Sequence, residues 1–303
     1  MNWIKIKQLF EPKNNFDWMY SHAANPFAEK ISDSIYNVYF TTRNINNVSS
    51  IGLCKLDITK LEIISISNKP ILTAGDLGLF DDSGVAMGFL ININQKKHLY
   101  YLGWNLKVTV PWLNTIGLAV SDQNEHGFKK FMNAPLLDRS HIDPFSISYP
   151  SVLFDQNKYK MWYGSNLSWG KNEKSMNHVI KYAESINGID WDRKDIICIN
   201  LKHKNEFAIS KPFVRKENNL FEMWYSYRGN NNINTYRIGY AISNDGINWD
   251  RKDEEAGIDV SEFGWDSEMI CYPYVFKHNN DTFMLYNGNH YGKTGFGIAL
   301  LNE

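Results

Sequence analysis

The chain has 303 residues, with 32 Lys and Arg against 33 Asp and Glu and a formal net charge of -1. No basic stripe stands out of the kind that neutralises a phosphate backbone, which sets aside nucleic-acid binding. Its three cysteines, Cys54, Cys198 and Cys271, are far apart, odd in number and without metal-type spacing, which argues against a disulfide scaffold or a zinc ribbon.

From Met1 to Lys7 charged and apolar residues alternate, so the uninterrupted apolar core of a signal peptide is missing. No later stretch is apolar enough to span a bilayer. These features lead us to expect a cytoplasmic protein with no membrane span. Trp3 to Leu9 reads as a short alternating strand.

Five similar segments follow: Val38-Tyr39-Phe40, Leu99-Tyr100-Tyr101, Met161-Trp162-Tyr163, Met223-Trp224-Tyr225 and Met284-Leu285-Tyr286. Their last aromatics step by 61, 62, 62 and 61 residues, and a fixed period marks one repeated supersecondary unit. A second strand recurs as Ile116-Gly117-Leu118-Ala119, Ile180-Lys181-Tyr182-Ala183 and Ile238-Gly239-Tyr240-Ala241. A third echo pairs Gly188 to Lys194 with Gly246 to Lys252, both carrying Trp-Asp-Arg. A Pro-bearing strand precedes the aromatic one at Asn25-Pro26, Tyr149-Pro150, Lys211-Pro212 and Tyr272-Pro273. Turns rich in Asn, Asp, Lys and Gly separate these strands, and helical periodicity is nearly absent.

Four strands per unit, repeated five times, predict an all-β fold, a five-bladed β-propeller. The blades should cover about 16–70, 78–138, 143–200, 205–260 and 265–303, in one domain. The fifth unit stops at Glu303 after its third strand, so residues 2–9 should supply the N-terminal strand that closes the last blade and protects its edge.

In an antiparallel blade, the loop leading into the inner strand and the loop leaving the aromatic strand share one end of the ring. The first set holds Asp81, Asp82, Asp143, Glu206 and Glu268; the second holds Arg43, Trp104, Asn105, Arg228, Asn289 and His290. Carboxylates, arginines, amides and rings at one mouth suit a polyhydroxylated ligand and protonation of a leaving oxygen. Glu268 is the candidate general acid, Asp82 or Asp81 the base or orienting carboxylate, and Glu206 a further catalytic candidate. His22, Asn25, Arg43, Trp104, Asn105, Asp143, Lys211, Arg228, Tyr272, Asn289 and His290 are the candidate binding residues. Surface loops are also polar for ordinary reasons: Asp143-Pro144 reads equally as a turn, and His22 and His290 equally as structural histidines. Trp162 and Trp224 read as blade core, and Trp191 and Trp249 as packing. Aromatic content of 15% fits both blade filling and sugar stacking.

The five-unit pattern, with Trp-Tyr strands and Pro-bearing inner strands, resembles the five-bladed glycosidase superfamily, which includes glycoside hydrolase families 32, 43, 62, 117 and 130. It also looks like a set of bacterial members sharing Ser21-His22-Ala23, Asp81-Asp82-Ser83-Gly84, Arg228-Gly229 and Trp265-Asp266-Ser267-Glu268-Met269, a set linked with surface-polysaccharide biosynthesis. The resemblance implies inner-strand acids beside the prolines of the first three blades. Here Asn25 and Ser148-Tyr149-Pro150 stand at two of those places, so a carboxylate pair has to be rebuilt from Asp82, Glu206 and Glu268. Three functions stay open: a glycoside hydrolase-like enzyme; a cytoplasmic glycosyltransferase or phosphorylase using a sugar nucleotide or phosphate; and a non-catalytic glycan-binding or scaffold propeller. No cofactor is expected; some relatives hold an axial cation, but the spacing here specifies none.

Overall fold

The computed structural model describes residues 1–122, 127–169, 176–229 and 233–302; Glu303, the expected end of the fifth unit, lies outside them. The strands are β1 (Trp3–Phe10), β2 (Ser21–Lys30), β3 (Ile35–Arg43), β4 (Ser49–Asp57), β5 (Glu62–Ile66), β6 (Gly84–Ile93), β7 (Lys96–Leu106), β8 (Trp112–Asp122), β9 (Lys129–Lys130) and β10 (Ile147–Asp155). They continue with β11 (Lys158–Ser168), β12 (Asn177–Ser185), β13 (Asp192–Ile199), β14 (Ala208–Glu217), β15 (Leu220–Arg228), β16 (Arg237–Ser243), β17 (Asp250–Arg251), β18 (Cys271–His278), β19 (Asp281–Asn287) and β20 (Phe296–Leu301).

These strands pair as four-stranded antiparallel meanders: β2 to β5, β6 to β9, β10 to β13, β14 to β17, and β18 to β20 with β1. As the leftover alternating stretch predicts, β1 completes the last blade, with Trp3 opposite Leu301 and Phe10 opposite Phe296. The inner strands contact one another in the cyclic order β2, β6, β10, β14, β18 and back to β2. That order closes a ring around an axis. The second strand of each blade is packed on both faces, which is why its sequence is nearly continuous in apolar and aromatic residues. Trp162 and Trp224 are fully buried there, as expected of blade core.

Two outer turns hold neighbouring blades together. Trp191 Nε1 and the Tyr100 hydroxyl both donate to the Gly188 carbonyl, at 3.2 and 2.6 Å. Trp249 Nε1 and Trp162 Nε1 both donate to the Gly246 carbonyl, at 3.0 and 2.7 Å. The repeated Trp-Asp-Arg segments thus stitch blade three to blade two and blade four to blade three.

Every inner strand breaks register at the same height: between Ala24 and Phe27, Met87 and Phe89, Ser148 and Ser151, Ser210 and Phe213, and Cys271 and Tyr274. A bulge with one residue in the left-handed region re-aims that side chain. Asn25, Tyr149, Lys211 and Tyr272 occupy it with φ of 55°, 37°, 51° and 56°. Each precedes a proline, which has no N–H to lose from the ladder. Blade two has Gly88 at this height.

Candidate functional site

Strand register places the start of each inner strand against the end of its aromatic strand: Ser21 opposite Arg43, Gly84 opposite Trp104, Ala208 opposite Arg228 and Cys271 opposite Asn287. The loops singled out from sequence therefore do share one face. The carboxylates among them divide sharply by environment.

Asp81, Asp143 and Glu206 are not open groups of the mouth but the centres of buried staples within their own blades. Asp81 accepts the Tyr101 hydroxyl at 3.0 Å and pairs with Lys130 at 2.6 Å. Asp143 accepts the Tyr163 hydroxyl at 2.9 Å and Ser165 Oγ at 2.7 Å, and pairs with Arg193 at 3.1 Å and Lys181 at 3.3 Å. Glu206 receives Arg251 through both of its oxygens, at 2.8 and 2.9 Å. In the last blade Asp266 fills the same place, between the Tyr286 hydroxyl at 3.0 Å and Lys5 at 2.7 Å. Each acid reaches the final aromatic of its second strand or the base on its outer strand, so it sits over the blade's middle and edge. Asp81 and Glu206, expected as catalytic groups, and Asp143, expected to bind substrate, thus stand in internal ion pairs rather than open to the mouth. Their shared repeat position reflects a shared structural role, because a buried carboxylate is held by opposite charge and hydrogen bonds.

Asp82 is also occupied. It accepts hydrogen bonds from Asn105 Nδ2 at 2.7 Å, Ser83 Oγ at 2.9 Å and the Gly78 N–H at 3.0 Å. Burial pushes its pKa up, but these donors outweigh it and hold the carboxyl below its ordinary value. Asn105 is spent on this loop, giving its second bond to the Leu79 carbonyl, and Trp104 Nε1 donates to Ser49 Oγ of the neighbouring blade at 2.8 Å. These three residues, expected as base and ligand contacts, are hydrogen-bonded within the blade-two loop and to its neighbouring blade.

Glu268 is different. Because Asp266 is the staple, Glu268 two residues on is left exposed, with His290 Nε2 at 3.6 Å. Asn289 sets this corner: its Oδ1 accepts the N–H groups of Glu268 and Met269 at 2.8 and 3.1 Å. His290 and Tyr291 both adopt left-handed backbone, φ 54° and 60°, a costly conformation for two adjacent non-glycine residues. Arg228 fixes the turn from below. Its guanidinium lies 4.6 Å from the Tyr236 ring centre and 5.0 Å from that of Phe207, and Nη1 donates to the Tyr291 hydroxyl at 2.6 Å. Arg228 is thus caged by rings, whereas Arg43 has no hydrogen-bond or ion-pair partner for its guanidinium among the described residues.

The bulge residues converge on the axis. Rings of Tyr149 and Tyr272, from blades three and five, lie 5.8 Å apart. Lys211 Nζ of blade four donates to the Gly88 carbonyl of blade two at 2.8 Å and lies 6.0 Å from the Tyr149 ring centre. Asn25 takes its backbone support from Asn287 Oδ1 at 2.8 Å and gives Nδ2 to Thr41 Oγ1 at 3.3 Å. Burial pushes the Tyr149 and Tyr272 hydroxyls upward, with Asn25 and Arg43 opposing this at Tyr149. His22 sits above with φ 64°, its pKa lowered to about 4 by burial and then by Arg43, Lys293 and His290. His178 is lowered to about 3 by burial and then by Arg228. Both imidazoles are neutral at pH 7. Tyr149, His178, Tyr236, Tyr291 and Lys293 were missed by sequence reasoning. Tyr149 was legible, because it precedes Pro150 in the same register as Asn25, Lys211 and Tyr272.

The mouth is therefore cationic and aromatic, with Glu268 as its open carboxyl among the expected acids. Among the described residues, no three His, Cys, Asp or Glu side chains are grouped to hold a metal ion. No helix among them is long and apolar enough to cross a membrane.

The fold is that of the β-propeller glycoside hydrolases. A solved glycoside hydrolase is similar with a TM-score of 0.78 at 15% identity, over 98% of this chain and 90% of that one. A thermostable family-43 glycoside hydrolase is similar with a TM-score of 0.66 at 18% identity, over 93% and 88%. No family model matches the sequence. The chain belongs to the family of the uncharacterized protein Rv1502 of Mycobacterium tuberculosis (strain ATCC 25618 / H37Rv), with which it is 43% identical over 304 residues, the full length of both.

Proposed function

We propose that this protein is a carbohydrate-active propeller whose substrate carries a negative charge, and that it does not work through a pair of carboxylates. The observation that carries this reading is the axial set itself. Arg43 stands without a carboxylate partner and acts on Tyr149, whose ring borders buried Lys211 and lies 5.8 Å from that of Tyr272, while Asp81, Asp82, Asp143 and Glu206 are all engaged in structural hydrogen bonds or ion pairs. An arginine without a carboxylate and a buried lysine that an anion can charge, at a ring-lined mouth, suit a phosphate, a nucleotide diphosphate or a sugar carboxylate. Transfer from an activated sugar donor, or phosphorolysis, then fits better than hydrolysis between two carboxyl groups, which needs both within about 5 to 10 Å. Glu268 is the carboxyl available to protonate a leaving oxygen, with His290 beside it.

The glycoside-hydrolase neighbours support the carbohydrate half of this reading, and the cationic axis supports the anionic half. A thermal-shift panel tests it. A ligand that binds only the folded state raises the unfolding midpoint. Sugar phosphates, sugar nucleotides or uronic acids should raise it, and Arg43→Ala should abolish the shift. A rise with neutral oligosaccharides alone would overturn the anionic reading. Turnover of any such ligand that is lost in Glu268→Gln would mark an enzyme rather than a binding propeller.

A further inference from the structure

Lys211 is the one charged side chain among the five residues at the bulge height. Its hydrogen-bond acceptor, the Gly88 carbonyl, belongs to the second blade, and β10 of the third blade stands between β6 and β14 in the ring. The side chain therefore crosses the axis. It is 4% exposed and faces no carboxylate; the Gly88 carbonyl is its hydrogen-bond partner among the described residues.

The groups around it are neutral. Blade three offers Tyr149, blade five offers Tyr272 and Cys271, and burial raises all three, so none is charged near pH 7. Blade two offers the glycine carbonyl. Blade one offers Asn25 and, towards the mouth, neutral His22. Arg43 acts on Tyr149 from the mouth side, and Tyr149 also borders Lys211. A buried ammonium without a counter-charge gives up its proton readily, and burial alone draws Lys211 down to about 7. An anion arriving beside it reverses that balance.

Resting on the anionic-substrate reading, we propose that Lys211 is the acid–base group of the axial site: it takes a proton from solvent when the substrate's anionic group arrives, and returns it when that group leaves. The step is a single proton transfer: an N–H bond forms on the amine as the O–H bond of hydronium or a buffer acid breaks, and release of the substrate runs it in reverse. It gives the site a proton donor and acceptor that the stapled carboxylates do not supply.

Calorimetric titration at pH 8 with glucose 1-phosphate, uridine diphosphate glucose and glucuronate, each in two buffers of different ionisation heat, measures the protons taken up on binding. With Lys211 near 7 in the free protein, uptake by the wild type should approach one proton per site. Lys211→Arg, which stays charged, should bind with no uptake. Lys211→Met should bind roughly tenfold to a hundredfold more weakly and also with none. Denaturation midpoints of both variants establish that they are folded. Uptake unchanged in folded Lys211→Arg, or wild-type binding without uptake, would overturn this role for Lys211 while leaving the anionic reading in place. Absence of wild-type binding to all three ligands would overturn both.

Discussion

At Asp143 a tyrosine, a serine, an arginine and a lysine meet one buried carboxylate. Removing its charge leaves Arg193 without its carboxylate, while Lys181 keeps Asp195 at 2.7 Å, and breaking a buried pair on one side typically costs about 3–5 kcal/mol. Asp143→Asn should lower stability by that order in a denaturant titration. Glu268→Gln, an exposed change, should stay within about 0.5 kcal/mol. If the two variants were equally stable, Asp143 would not be a staple. The sequence showed both halves of this motif, acids at one repeat position and Trp-Asp-Arg at another, but not that they touch. Asp143 and Arg193 are 50 residues apart, and Glu206 and Arg251 are 45. Counting back from Pro also paired Glu268 with Glu206, whereas the staple is spaced from the tyrosine: 20 residues for Asp81, Asp143 and Asp266. Lys211 gives a second residue-scale test. Its folded pKa is lowered from 10.5 to about 7, so the unfolded chain binds the extra proton between those values, and stability should rise as pH climbs from about 7 towards 10.5. Lys211→Met should be more stable than wild type at pH 6, on the order of a few kcal/mol, with the gain fading from about pH 7 and gone near pH 10.5. A gain independent of pH would contradict the shifted lysine.

Among the elements, β1 has the most leverage. It covers the edge of β20, brings Trp3 against Trp224 with ring centres 6.5 Å apart, and delivers Lys5 to Asp266. Deleting residues 1–10 uncovers a strand edge and leaves Asp266 without its base, so the truncated chain should lose cooperative unfolding by calorimetry and self-associate on gel filtration. A monomeric, cooperatively melting product would show that closure does not depend on β1. This strand was legible in the sequence, because an alternating segment was left over at one end and a strand was missing at the other. The bulges were legible only in their positions. A Pro marks four of them, but a left-handed residue that turns into the axis leaves no periodic trace, and Gly88 carries no Pro. Blade one breaks the staple pattern visibly: Phe40 stands where the others have tyrosine, and it packs on Phe10 at 5.2 Å and Phe296 at 6.2 Å instead of binding an acid.

Across the whole molecule, the structural staples and the groups of the proposed site occupy different radii. Acid–tyrosine–base staples hold the middle and edge of the blades, and the axis keeps the groups that the staples do not use: Arg43, Lys211, Tyr149, Tyr272, His22 and, at the rim, Glu268 with His290. A second basic place exists, a cavity of about 330 Å³ lined by Lys107, Val108, Thr109, Val110, Leu113 and Arg139 and by none of the axial residues, so binding of an anion does not by itself locate it. A crystal structure with glucose 1-phosphate does. The phosphate should lie within hydrogen-bond reach of Arg43, beside Tyr149 and above Lys211. A phosphate seated against Lys107 and Arg139 with the axis unliganded would contradict an anionic-sugar site on the propeller axis.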